Sequence, residues 1–365
     1  LTLGLCLNAV DEFLPALLDT TEAPDMPRVT VVTPNYNYAR YLPKRIDSIL
    51  DQTLQDFELL ILDDASTDNS REIIESYSKD QRTKVIFNQQ NSGSTFKQWN
   101  LGLSQAKGEY LWFAESDDYA DPALLETLVD RLDRHPNVGL AVCQSWAVDQ
   151  DSKPLGNYRD WLEHENHSSH WREDYVNAGH DECKNYLFWY NTIPNASAVI
   201  WRRETLERAG GAPTDLRVCS DWMSYINVLQ LSDIAFVSTP LNYFRQHQAN
   251  VRTRALLEGN GTRETRRVQQ TLIDRYGLGS VLRDQDKVLS QYVMNLVNCA
   301  RMPPHNKVPP AVALELLAWF ARIHPKAFTT ALKTLSSEQM ADLARRAGML
   351  GLVRKLKNVV AARGD

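Results

Sequence analysis

The apolar positions of the chain fall into short continuous runs separated by stretches with helical spacing. Residues 28–33, 57–62, 84–87, 110–113 and 138–144 are such runs, rich in Val, Ile, Leu and aromatic residues. Runs this short, bounded by turn residues, are predicted to be buried strands. Between them, Tyr41 to Gln52 places Leu42, Ile46, Ile49 and Leu50 on one helical face. Ser70 to Tyr77, Phe96 to Ala106 and Pro122 to His135 also read as helices, the last with Asp121 as its N-cap. Strand and helix alternate at short intervals. That alternation predicts an α/β fold with a mostly parallel central sheet and helices on both faces.

The pattern changes at both ends and in the middle. Residues 1–26 read as a helix and an acidic, proline-containing linker, and 27–258 as the α/β domain. Periodicity fails from Val148 to Cys183, a polar and aromatic stretch expected to form an irregular wall or lid. Its His164, His167 and His170 read as exposed loop side chains before they read as zinc ligands. Ala196 to Trp201, Ile234 to Val237 and Leu241 to Phe244 are expected strands. Ser220-Asp221-Trp222 opens a helix, with Ser220 or Asp221 as N-cap. Residues 259–365 form a helical region with segments at 262–276, 284–300, 310–323, 326–335 and 338–362. The last is basic and amphipathic. It either packs on its own domain or lies on an anionic membrane surface.

Composition narrows the class. The chain has 365 residues, 43% hydrophobic and 24% charged, enough for a full core. A net charge of −6 excludes the electrostatic footprint of a nucleic-acid binder. Five scattered cysteines without a CxxC pair suit a reducing, cytoplasmic compartment. No apolar run is long enough to span a bilayer. The chain opens on Leu1 rather than Met, as expected either for a piece of a larger multidomain chain or for a processed one.

The chemistry gathers at two predicted strand ends. Asp63-Asp64 ends the second run, and Glu115-Ser116-Asp117-Asp118 follows the fourth. Ligands of open α/β sheets bind at that carboxyl edge. Adjacent carboxylates there repel unless a cation or donor groups stand between them. Hard divalent cations take carboxylate oxygens together with substrate phosphates, so the reading is a metal-assisted site for a nucleoside diphosphate. Capped turns whose acids face water are the plain alternative.

Taken in order, Val-Val-Thr-Pro34-Asn-Tyr36-Asn37, Leu-Asp63-Asp64-Ala-Ser-Thr-Asp68, Asn91-Ser-Gly93, Ala106-Lys-Gly108 through Asp118, and Ser220-Asp221-Trp222 resemble the family 2 glycosyltransferases of GT-A fold. The resemblance spans roughly residues 28–250 and leaves the C-terminal helices uncovered. It implies an inverting, metal-dependent transfer from a UDP- or dTDP-linked sugar to a saccharide or lipid-linked hydroxyl. It also implies bacterial surface-polysaccharide synthesis, such as O-antigen or capsule, at or near the inner membrane. The roles it implies are Pro34, Tyr36, Asn37, Asp64 and Asp117 at the nucleotide, Asp118 on Mn2+ or Mg2+, and Asp221 as catalytic base. Glu115, Trp222, His247 and Asn195 are candidates for diphosphate or acceptor contacts. Glu115 stands where the family commonly has Asp. Two rivals compete with this reading. A nucleotidyltransferase needs a glycine-rich loop after the first strand, and Pro34 to Tyr38 has no glycine. A silent nucleotide- or glycan-binding module would bind without turnover.

Overall fold

A computed structural model describes residues 26–166, 168–193, 195–247, 260–277 and 310–333. The expected segments at 1–25, 284–300 and 338–362 lie outside the described residues.

Ten strands form one sheet: β1 (Val29–Asn35), β2 (Phe57–Asp63), β3 (Thr83–Phe87), β4 (Tyr110–Phe113), β5 (Tyr119–Ala120), β6 (Val138–Val148), β7 (Pro154–Asn157), β8 (Tyr175–Asn177), β9 (Val199–Arg202) and β10 (Asp233–Arg245). The main order is β3-β2-β1-β4-β9-β6-β10-β5, with β7 on β6 and β8 on β10. Along this path β3, β2, β1, β4, β6 and β10 share a direction, and β9 and β5 oppose it. The sheet is therefore mostly parallel, as expected.

Strands buried on both faces read as continuous apolar runs, and that is why these runs were legible. Alternate residues divide between two cores. Val29, Val31, Leu59, Ile61 and Trp112 face one side. There they meet Leu42, Ile46 and Ile49 of helix α1 (Leu42–Leu50), Ile74 of α2 (Ser70–Tyr77) and the leucines of α4 (Leu124–Arg134). Val32, Leu60, Leu62 and Phe113 face the other side, against Phe96 and Trp99 of α3 (Thr95–Gln105). Trp99 stacks on Phe113 at 4.1 Å between ring centroids, and Trp201 meets both edge-on.

Several expectations are corrected. Helix α4 begins at Leu124 with Ala123 as N-cap; Asp121 instead accepts the amide of Ala123 across a preceding turn. The stretch 148–183 is not irregular. It forms β7, α5 (Tyr158–Asn166), a 3-10 turn at His170–Arg172, β8 and α6 (Gly179–Asn185). Its elements are too short to build up a period. His170 is not a surface residue: it stacks on Tyr186 at 4.0 Å and lies 3.3 Å from buried Glu182. Residues 196–198 make a 3-10 turn, and only Val199–Arg202 is strand; α7 (Arg203–Arg208) follows. The two expected strands near the end of the domain are one, β10, carried through Pro240 by register shifts. Helix α8 (Ser220–Leu229) has Cys219, not Ser220 or Asp221, as its N-cap. Beyond it lie α9 (Asn260–Tyr276), α10 (Pro310–Ile323) and α11 (Pro325–Lys333). Val268, Leu272, Leu316, Leu317, Trp319 and Phe320 join these helices to the same core as α3 and α8.

Candidate functional site

The loops after β1 and β2 are tied together by short polar side chains. Asn37 holds a left-handed backbone, φ 61°, a conformation asparagine tolerates better than most residues. Its Oδ1 accepts from the amides of Thr67 and Asp68 at 2.7 and 3.3 Å. Asn35 donates to Asp63 at 2.8 Å, and Ser116 Oγ donates to the carbonyl of Pro34 at 2.7 Å. Pro34 and Asn37 thus act as scaffold, and Tyr36, 45% exposed, is left standing at the tip.

Asp64 is buried, and its carboxylate is fully engaged. It accepts from Asn88 Nδ2 (2.7 Å), the Ser92 amide (2.9 Å), Ser92 Oγ (2.8 Å) and Gln98 Nε2 (2.8 Å). A carboxylate offers about four lone-pair sites, and these donors fill them. Asp64 therefore fastens the loop before α3 to the end of β2.

The acidic loop separates three carboxylates into three environments. Glu115 accepts the Trp99 indole N–H at 2.8 Å. Burial, reinforced by the charge of Asp117, pushes its carboxyl up to about 8. Asp118 is 2% exposed. Its Oδ2 accepts from Asn195 (2.9 Å) and Ser197 (2.7 Å), and its Oδ1 from the Arg245 amide (2.9 Å). Burial and then Asp117 raise it to about 6. Asp117 differs from both. Its side chain is 18% exposed, and Oδ2 lies 2.9 Å from Nε2 of His247. Tyr38 and Tyr41 hold the imidazole at ring distances of 5.7 and 5.6 Å. The backbone hydrogen bond from Arg245 to Asp118 is what brings His247, two residues further on, to Asp117.

Two buried arginines balance these acids. Arg245 donates to the carbonyls of Asp117 (2.6 Å) and Asp149 (2.9 Å). Arg45 is fully buried, donates from Nε to the Glu115 carbonyl at 2.9 Å and lies 5.4 Å over the Trp112 ring. Burial lowers its pKa to about 10 against the opposing pull of Asp118, Asp117 and Glu115. Sequence reasoning missed Arg45. The available signal was a cation on the apolar face of α1, in the stripe of Leu42, Ile46 and Ile49.

Asp221 sits in the first turn of α8, where its charge meets the positive end of the helix dipole. Its Oδ1 accepts the Trp222 amide at 2.7 Å and its Oδ2 accepts Asn191 Nδ2 at 3.2 Å. One turn along, the buried Tyr225 hydroxyl is raised by burial and then by the charges of both Asp221 and Glu115. The charges of Asp221 and Glu115 therefore both reach the Tyr225 hydroxyl. Trp222 points away, into the core, its indole donating to the Leu187 carbonyl at 3.0 Å. Asn195 is equally committed, between Asp118 and the Ser197 amide. Among the described residues no group of three or more His, Cys, Asp or Glu side chains is arranged to hold a metal by itself.

Residues 30–191 match the model of Glycosyl transferase family 2. Through them the chain belongs to that family. It is 30% identical over 227 residues to an uncharacterized glycosyltransferase of Nostoc sp., 61% of this chain and 66% of that one. It is 41% identical over 93 residues to the putative teichuronic acid biosynthesis glycosyltransferase TuaG of Bacillus subtilis, 25% of this chain and 36% of that one. The matched part thus covers a third to two thirds of these relatives. Residues 1–349 of Staphylococcus aureus TarS, solved with UDP-GlcNAc, superpose with a TM-score of 0.54 at 18% identity, covering 88% of this chain and 92% of that one. The shared fold is GT-A.

Proposed function

We propose that this protein transfers a sugar from a nucleoside-diphosphate donor to a saccharide or lipid-linked hydroxyl during assembly of a bacterial surface polysaccharide, with inversion at the transferred carbon. The support is the family, relatives named for teichuronic acid and poly(ribitol-phosphate) glycosylation, and a fold that TarS shares in complexes with UDP and UDP-GlcNAc. The observation that carries the reading is the Asp117–His247 pair at the carboxyl edge of the sheet, with Asp221 in the first turn of α8 as a separate carboxylate.

Asp117 and His247 suit Mn2+ or Mg2+. A single carboxylate and an imidazole leave coordination positions for substrate phosphates, the usual arrangement for such ions. When bound, the cation would neutralise charge on the departing diphosphate. Asp118, expected from the resemblance as the metal ligand, is assigned a scaffold role instead, because protein donors occupy both its oxygens. Tyr36 offers its ring to the nucleobase. Asp64 shapes that pocket through Ser92 and Gln98. Asp221 takes the proton of the acceptor hydroxyl, separate from the metal so that its basicity is kept.

Calorimetric titration of UDP with and without Mn2+ tests this. Asp117→Ala should abolish the Mn2+-dependent part of binding. Asp118→Asn, which retains an acceptor for Ser197, should weaken it by less than tenfold. The reverse ranking would return the metal to Asp118. UDP affinity indifferent to Mn2+ in the wild type would remove the metal from the mechanism.

A further inference from the structure

Away from the acidic loop, a cavity of about 500 Å³ lies between α9 and α10, lined by Arg263, Arg266, Arg267, Gln270, Trp319 and Arg322 among others. Four guanidinium groups around one cavity are unexpected in a chain of net charge −6. Nearby carboxylates do not use up their donors. Arg263 and Arg266 share a single partner, Glu315, at 3.5 and 2.8 Å. Arg267 pairs through one nitrogen with Asp215 at 2.6 Å. Arg322 has no ion pair among the described residues. Asp274, also on the cavity wall, accepts from Gln270 at 2.8 Å. Each guanidinium carries five N–H donors in a planar fork that fits phosphate oxygens. Trp319 is buried and donates its indole N–H to Gln270 Oε1 at 2.9 Å.

The cavity is joined to the helix that carries Asp221. Glu264, beside Arg263 on α9, accepts from three successive amides, Arg217, Val218 and Cys219, at 2.8, 2.8 and 2.9 Å. Those amides lead directly into α8. Asp215, the partner of Arg267, stands six residues before Asp221. Their Cα atoms are therefore at most about 21 Å apart, the reach of a short saccharide.

We infer that this arginine cavity is an acceptor subsite that holds a phosphate group carried by the saccharide being glycosylated. The inference rests on Asp221 marking the acceptor side of the site. It deepens the proposed function by naming a phosphate-bearing saccharide as the acceptor class. The guanidinium groups bind and orient that phosphate, and they take no part in the bond exchange.

The test uses N-acetylglucosamine 1-phosphate as probe and N-acetylglucosamine as its uncharged counterpart, titrated calorimetrically at low and high salt. The proteins are wild type, the double variant Arg266→Gln/Arg322→Gln, and Asp117→Ala. The wild type should bind the phosphorylated sugar at least tenfold more tightly than the neutral one, with an advantage that shrinks in salt. The arginine variant should lose that advantage while keeping wild-type UDP affinity in Mn2+, which also shows that it is folded. Asp117→Ala should keep it. Equal affinity for the two sugars, or an advantage that survives in the arginine variant, overturns the inference. So does loss of the advantage in Asp117→Ala, which would place the phosphate in the donor site. Binding only to phosphatidylglycerol vesicles would make the patch a membrane contact and overturn it as well. None of these titrations depends on Asp221 as base. An active Asp221→Asn variant would undo that reading and leave the phosphate result standing.

Discussion

Replacing Glu115 with glutamine is expected to make the fold less sensitive to alkali. Burial is the main reason the Glu115 carboxyl holds its proton, followed by the charges of Asp117 and Asp118; the Trp99 indole and Arg45 pull the other way. The folded value is about 8 against an ordinary 4.5. At about 1.4 kcal/mol per pH unit, that interval sets a ceiling of about 5 kcal/mol. Structural relaxation and water entry would leave half of that, about 2–3 kcal/mol. The sign follows from a folded pKa above the unfolded one. The contribution is fully present below about pH 4.5 and is lost as pH rises through about 8. Glutamine keeps an oxygen for the Trp99 indole but does not ionise. Urea denaturation of wild type and Glu115→Gln from pH 4 to 9, with EDTA present, measures the difference. The variant should gain on the wild type steadily between about pH 5 and 8 and track it below that range. Stability differences that stay constant across the whole range would refute the assignment of a buried, protonated Glu115.

Two further outcomes are expected. Asp221→Asn should lower kcat by about 10²- to 10⁴-fold, the usual contribution of a general base, with UDP affinity unchanged in Mn2+; lost UDP affinity would move Asp221 into the donor pocket. Gly108→Ala should destabilise by about 3 kcal/mol, read from thermal or urea unfolding. Its Cβ would lie 2.5 Å from the Thr30 amide nitrogen and 2.7 Å from the Val29 carbonyl carbon, and backbone there can yield only by parting β1 from β4.

The parallel sheet was legible because its strands are buried on both faces. Val29 to Val32, Phe57 to Leu62 and Tyr110 to Phe113 carry only Thr30 and Glu58 as polar positions, and these two bond each other at 2.8 Å. The stretch 148–183 was not legible. Its elements are too short for a period to emerge, and they are ordered by tertiary contacts such as β8 on β10 and His170 on Tyr186. The acids at two strand ends were equally visible from their order along the chain, yet their division of labour was not. Nothing local distinguishes Asp117 from Asp118.

Residue order alone was sufficient to announce an α/β nucleotide-type domain, because burial leaves its period in the sequence. It also marked the edge at which the acids collect. Tertiary structure decided which acid remains available. Arg245, Asn195 and Ser197 arrive from distant positions to fill the oxygens of Asp118, and His247 comes to Asp117. A carboxylate's role depends on how many donors reach it, and those donors come from chain segments about 80 to 130 residues away. Local pattern carries no record of contacts at that separation.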